Sequence, residues 1–349
     1  MIPGSKPTSL PPAPVDRTGW PWTEESPRLP DTMPDGKAWP RISIVTPSYN
    51  QGQFIEETIR SVLLQSYPAL EYIIIDGGST DNTVEIIEKY SGWLTYWISE
   101  PDRGQSHAIN KGFAHATGDI FGWLNSDDFL LPGALGHVAR CFSGGSDAVS
   151  GNCVYVDEAS QRLKHSIPAE PTVSGFLQCY SSIVAQPSTF WSRRIWEQCG
   201  PLSEALHYCM DYNFFLKVSA VANWMLCPHD ISAYRRHAFQ KTGTLTQNHY
   251  ERPAALDDFG QCGLCARRWR NALQRAKRWE GWLTYWQARM AIKGRSGAVG
   301  WLMAPVFNWR CLLMGRYYAQ LGRAFWHRLK AGTRKLIARS TAATFPSPE

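Results

Sequence analysis

The chain has no run of 18 or more apolar residues, so no plain membrane-spanning helix is expected. The longest candidate, 296–309, is short and contains Pro305. The N-terminus is rich in proline and does not read as a secretory signal. Its nine cysteines are odd in number and scattered, which argues against a disulfide framework and for a reducing compartment. Cys262 and Cys265 form a single close pair with no second pair, which leaves zinc weakly supported. A glycine-rich phosphate loop with a basic residue is missing near the N-terminus, which disfavours a nucleotidyltransferase. With no recognised nucleic-acid fold, nucleic acid is not expected as a partner.

What is present is uneven. The net charge of +6 hides a division: residues 262–349 hold 17 Lys+Arg against 2 Asp+Glu, and residues 1–261 hold 19 against 28. Two bodies of opposite charge, with different partners, are implied. Three regions follow: a Pro-rich arm over 1–40, an α/β body over 41–260, and a basic helical tail over 261–349. Trp20, Trp22 and Trp39 are placed to tether the arm, since large aromatics bury much area.

The body alternates strand and helix. Arg41 to Pro47 reads as a strand, Phe54 to Gln65 as a helix, and Glu71 to Ile75 as a strand buried on both faces. A helix over 82–90, a strand over 94–99 and a helix over 107–116 lead to a central strand from Ile120. This order is that of a doubly wound sheet. Beyond Pro132 come a helix to Cys141, a strand from Ala148 to Asp157, a helix over 191–198 and a helix opening at Met210. Trp224 to Leu226 and Ile231 to Arg235 suggest two edge strands. A loop from Arg236 to Gly243 closes the body.

The central strand ends in Asn125, Ser126, Asp127 and Asp128. Adjacent carboxylates at the carboxyl edge of such a sheet lie where open α/β sheets bind ligands. Hard oxygen ligands suit Mg²⁺ or Mn²⁺ bridging to phosphates, while a turn and helix cap is the plainer reading. Tyr49-Asn50, Asp76, Asp102-Arg103 and Asn125 to Asp128 each follow a strand, so parallel pairing brings them to one rim.

From Ile42 to His249 the chain resembles the family 2 glycosyltransferases of the GT-A fold, a Rossmann-like mixed sheet flanked by helices. The resemblance rests on six ordered motifs: Ser48 to Gln51, Asp76 to Asp81, Asn110 to Gly112, Asn125 to Asp127, Met210-Asp211, and the loop around His237. It implies that Thr46, Pro47, Tyr49 and Asn50 line the nucleotide of a UDP- or GDP-sugar donor. Asp76, Asn125 and Ser126 join that site, with Arg103 and Lys111 as cations for the diphosphate. Asp127 and His237 would hold Mn²⁺ or Mg²⁺, and Asp128 is either a further ligand or a helix cap. Asp211 would be the general base of an inverting transfer, for which a carboxylate within reach of the acceptor hydroxyl suffices.

Three positions depart from the family pattern. Gly77 stands where a second Asp often contacts the base, Asn125 replaces the first Asp of the metal motif, and Met210 replaces a Glu. They keep open the alternative of a scaffold protein that has lost turnover. Closely similar sequences, with Gly-Trp-Pro-Trp before the first strand and Ser-Glu-Pro-Asp-x-Gly later, look like bacterial enzymes of exopolysaccharide or O-antigen assembly. That implies a glycan or lipid-linked glycan acceptor and a cytoplasmic protein peripheral to the inner face of the plasma membrane. The tail carries seven Trp among its basic residues. Helices over Arg267–Ile292 and Arg310–Ile337 read as basic and amphipathic, suited either to an anionic membrane surface or to packing on the acidic body.

Overall fold

The computed structural model describes residues 9–178, 183–238, 240–241, 245–265 and 269–278. The first half follows the alternation of apolar runs: β1 (Ile42–Ser48), α1 (Ile55–Leu63), β2 (Leu70–Asp76), α2 (Thr83–Tyr90), β3 (Tyr96–Ser99), α3 (Gln105–His115) and β4 (Ile120–Trp123). β1 pairs in parallel with both β2 and β4, and β2 with β3. Four strand ends therefore share one rim.

Successive strand residues point to opposite faces. Val45, Ile73 and Ile75 enter a core with Phe113, Trp123, Trp191, Phe214 and Phe215. Ile44, Tyr72 and Ile74 enter a second core with Ile55, Ile59, Val62 and Leu135. Both faces of β2 are thus covered, as its unbroken apolar run requires. α3 lies so close to β1 that a Cβ on Gly112 would stand 2.3 Å from a Val45 methyl. The glycine of Asn110-Lys111-Gly112 is a packing requirement.

The second half adds β5 (Phe129–Leu130), α4 (Ala134–Phe142), β6 (Ala148–Val156), β7 (Arg162–Ser166), α5 (Val173–Gln178), β8 (Thr189–Ser192), α6 (Arg193–Cys199), α7 (Met210–Val221), β9 (Trp224–Arg235) and α8 (Leu245–Gln261). The strand order is β3-β2-β1-β4-β8-β6-β9-β5, with β7 beside β6. β8 runs antiparallel to β4 and β6, so the sheet is mixed.

One expectation is corrected here. The two edge strands expected at 224–226 and 231–235 are one strand, β9, held inside the sheet between β6 and β5. Its pairing with β6 shifts register around Gly151 and Asn152, opposite the stretch that contains Pro228. A proline has no N–H to give to a ladder, so the sequence reads as broken where the strand only bulges.

The arm lies on the second core. The Trp20 indole donates to the Leu130 carbonyl and that of Trp39 to the Pro30 carbonyl, both at 2.8 Å. The buried Arg60 guanidinium binds the carbonyls of Pro11, Pro21 and Trp22. At the other end, Ala255, Leu256, Phe259, Leu273 and Ala276 join the first core. The start of the basic tail is therefore packed on the body. The expectations for the tail beyond residue 278, including the helix over Arg310–Ile337, lie outside the described residues.

Candidate active site

The loops after β1 and β2 are laced together. Asn50 takes a left-handed backbone (φ 51°), accepts the Thr80 N–H at 2.8 Å and donates its own N–H to the Ser79 hydroxyl at 2.7 Å. Asp76 is fully buried and accepts from the N–H groups of Gly78 and Ser79 and the hydroxyls of Ser79 and Ser99. These bonds pin the ends of β2 and β3. Thr46 is buried, its hydroxyl 3.1 Å from that of Tyr72, and Pro47 is buried beside it. Tyr49 stands 60% exposed at the rim.

The loop after β4 holds the carboxylates. Asp127 Oδ2 lies 3.0 Å from Nε2 of His237, which arrives from the loop after β9. The His237 ring is buried against Phe54, 4.8 Å between ring centres, and its Nδ1 finds no partner among the described residues. Ser126 is buried, and its carbonyl accepts the Thr58 hydroxyl. Asp128 is 1% exposed, with Oδ1 accepting the Arg235 N–H and Oδ2 without a partner among the described residues. Burial first, then the neighbouring Asp127 carboxylate, raise its carboxyl well above the ordinary range. Asn125 accepts from Gln105 at 2.8 Å and donates to Gln186 at 3.1 Å, spanning the rim rather than hanging free.

Arg235 anchors this loop. Its side chain is 1% exposed and binds the Asp127 carbonyl, the Glu158 carbonyl, the Ser160 hydroxyl and the buried Glu57 carboxylate, each at 2.9–3.0 Å. It also stacks over Phe54 and Phe129. In the sequence it only ends the run from Ile231, which gives no sign of this role.

Asp211 lies in the first turn of α7 and is partly buried; Oδ1 accepts the Tyr212 N–H at 2.7 Å. Burial raises its carboxyl, and the charge of Lys241 opposes that. The preceding loop hangs on Glu251, which accepts the N–H groups of His207, Tyr208 and Cys209. Ser106 of α3 touches the same segment through the Leu206 carbonyl and the Met210 sulfur. Lys241 donates to Gln105 at 3.0 Å, so Lys241, Gln105, Asn125 and Gln186 form a polar chain along the rim to the loop after β4. Glu251 sits in a helix interrupted by Pro253, with little periodicity to reveal it.

The two cation candidates are engaged elsewhere. Arg103 grips Glu204 through two nitrogens at 2.8 and 3.1 Å, and Lys111 pairs with Glu100. Such pairs at a surface are weak and can be exchanged.

As a metal centre, the rim offers one carboxylate and one imidazole together. Among the described residues no group of three or more His, Cys, Asp or Glu side chains converges. Two protein donors fit an ion of the Mg²⁺ or Mn²⁺ kind, which completes its shell with phosphate oxygens and water.

The sequence profile of "Glycosyl transferase family 2" matches residues 43–243, more than half of the chain. The chain belongs to glycosyl transferase family 2. An uncharacterised glycosyltransferase of Mycobacterium tuberculosis is 38% identical over 107 residues, 30% of this chain and 41% of that protein. Hyaluronan synthase of Pasteurella multocida is 28% identical over 221 residues, 60% of this chain and 22% of the synthase. The chain thus spans less than half the length of these relatives. The crystal structure of S. aureus TarS 1-349 in complex with UDP-GlcNAc superposes with a TM-score of 0.51 at 18% identity, over 62% of this chain and 66% of that one. The shared architecture is the GT-A fold expected of the family. Among the described residues no helix is long and apolar enough to cross a membrane.

Proposed function

We propose that this family 2 chain is a metal-dependent, inverting transferase that moves a sugar from a nucleoside-diphosphate sugar to an acceptor hydroxyl. The observation that carries the reading is the pairing of Asp127 with His237 at 3.0 Å across 110 residues of sequence. It stands on a rim linked by hydrogen bonds to the loop that precedes Asp211.

Asp127 and His237 would hold Mn²⁺ or Mg²⁺, which supplies positive charge to the departing diphosphate. Asp211 takes the proton of the acceptor hydroxyl, whose own pKa is far above neutral, as that oxygen attacks the anomeric carbon. The new carbon–oxygen bond forms as the bond to the diphosphate breaks, and the diphosphate leaves with the electron pair. A single base on the side away from the leaving group gives inversion. Burial makes the Asp211 carboxylate a stronger base, which suits the task.

The acceptor we propose is a glycan or lipid-linked glycan of cell-surface polysaccharide. The named polysaccharide synthases among the relatives support it, and the 17 Lys+Arg of residues 262–349 fit an anionic membrane surface. Cosedimentation with anionic vesicles, lost on removing 279–349, is the check on that surface.

The catalytic reading is tested by titrating UDP and GDP with and without Mn²⁺ by calorimetry, alongside release of nucleoside diphosphate from donor sugar. Asp127→Asn should remove the metal-dependent part of binding. Asp211→Asn should bind donor normally and lose transfer. Transfer retained by Asp211→Asn sinks the base assignment.

A further inference from the structure

Gly77 follows the last residue of β2 without a side chain, yet the space beside it is filled. A Cβ built on Gly77 would lie 2.7 Å from Asp102 Oδ2, 3.1 Å from Asp102 Cγ and 3.4 Å from Cδ2 of Tyr49. A carboxylate from the loop after β3 therefore stands over the end of β2. Its Oδ1 accepts the Gly104 N–H at 2.6 Å, which fixes the group at the start of α3. Among the described residues nothing donates a hydrogen bond to Oδ2. The adjoining Tyr49, 60% exposed, is the only aromatic among the exposed large hydrophobic side chains of the described residues.

An exposed aromatic ring beside an acceptor with one oxygen to spare suits a flat heterocycle that stacks on the ring and offers an N–H at its edge. An ionised carboxylate only accepts. Uracil and thymine present one N–H, N3–H, between two carbonyls. Cytosine and adenine present a bare ring nitrogen at that place, which a carboxylate repels. Guanine presents two adjacent donors and favours a carboxylate with both oxygens free, whereas Oδ1 of Asp102 is already held by Gly104. We propose that Asp102 reads the base of the donor nucleotide, and that the base is of the uracil type, uracil or thymine. This rests on the donor site argued under the proposed function and names its ligand. It also turns Gly77 from a loss into a clearance: any side chain there would collide with the carboxylate that does the reading.

The test is calorimetric binding of UDP, dTDP, GDP, CDP and ADP, each with Mn²⁺, to the full chain. UDP and dTDP should bind at least about tenfold tighter than the other three, the worth of one charged hydrogen bond. The ratio between UDP and dTDP separates the two sources of a uracil-type edge. Asp102→Asn keeps an oxygen for Gly104 and replaces Oδ2 by an amide N–H₂. It should weaken UDP by about tenfold to a hundredfold and raise CDP relative to UDP, because cytosine N3 accepts where uracil N3 donates. The double variant Gly77→Asp/Asp102→Ser moves the carboxylate across the gap and leaves a hydroxyl for Gly104; it should restore the preference for UDP. A role limited to capping α3 would alter thermal stability and leave the UDP/CDP ratio unmoved. GDP binding tightest, or an unchanged ratio in folded Asp102→Asn, overturns the assignment while leaving the donor site standing. No binding of any of the five to the folded wild-type chain overturns the donor site and this assignment together.

Discussion

Replacing Arg235 by methionine tests what holds the Asp127 loop in place. The substitution keeps the length and apolar body of the side chain and removes the guanidinium. Glu57, with its side chain 6% exposed, would then be left buried with no cation and only the Ser160 hydroxyl as donor. The Asp127 and Glu158 carbonyls would lose their donor. Breaking a buried pair from one side costs ~3–5 kcal/mol, because the orphaned charge keeps its desolvation penalty. The double variant Arg235→Met/Glu57→Gln removes that charge and should recover at least ~2 kcal/mol of the loss. Arg235→Lys keeps the charge but not the planar fork, and should sit between the two. Urea denaturation followed by tryptophan fluorescence measures all of them, with an unchanged slope confirming that the unfolding unit is the same. A loss below ~1 kcal/mol for Arg235→Met, or strict additivity in the double variant, would refute the account of Arg235 as the anchor.

Two carboxylates, Asp211 and Asp128, carry further expected outcomes. Burial raises the folded-state pKa of Asp211, so the acid limb of the transfer rate should lie above the ordinary carboxylate range. Lys241→Met, which removes the opposing charge, should move that limb further up; a limb at or below pH 4 refutes the environment described. Because the shift is upward, its contribution to stability is fully present below the unfolded pKa and lost as pH rises through the folded one. Asp211→Asn should therefore raise thermal stability at neutral pH while abolishing transfer, and a lower melting temperature counts against it. For Asp128, buried and with one oxygen unpartnered, Asp128→Asn should leave stability at neutral pH unchanged or higher, and Asp128→Ala should cost ~1–3 kcal/mol. Loss of Mn²⁺-dependent donor binding in a stable Asp128→Asn would instead make Asp128 a ligand.

The rim was readable because parallel strands put all their carboxyl ends on one side, so polar clusters after apolar runs had to meet. Period and run length alone give β1 to β4 and their helices. The chain after Pro132 was harder, since β9 carries a proline and a shifted register, and β7 and α5 are short. The pairing of Asp127 with His237 came only through the family pattern, because nothing in composition links residues 110 apart. What sequence reading missed entirely are the holders. Arg235 reaches Glu57 across 178 residues, and Glu251 reaches three N–H groups more than 40 residues away.

Holders of this kind leave no local trace, since their partners are mostly backbone groups, and every residue has those. Residues that touch a ligand must be of particular types, and a scan of types finds them. The same scan cannot see a group brought to a position from another loop. At 77 it reports a missing carboxylate and raises the case for a protein without turnover. In the fold, the Asp102 carboxylate stands 2.7 Å from where the Gly77 Cβ would be, next to the exposed Tyr49. The departure at 77 therefore does not strip the rim of negative charge, and it gives the scaffold reading no support. The two remaining departures are occupied as well: Asn125 bridges Gln105 to Gln186, and the Met210 sulfur accepts from Ser106. Each of the three substitutions is matched by a partner from another segment, as expected of a site maintained as a unit rather than one falling into disuse.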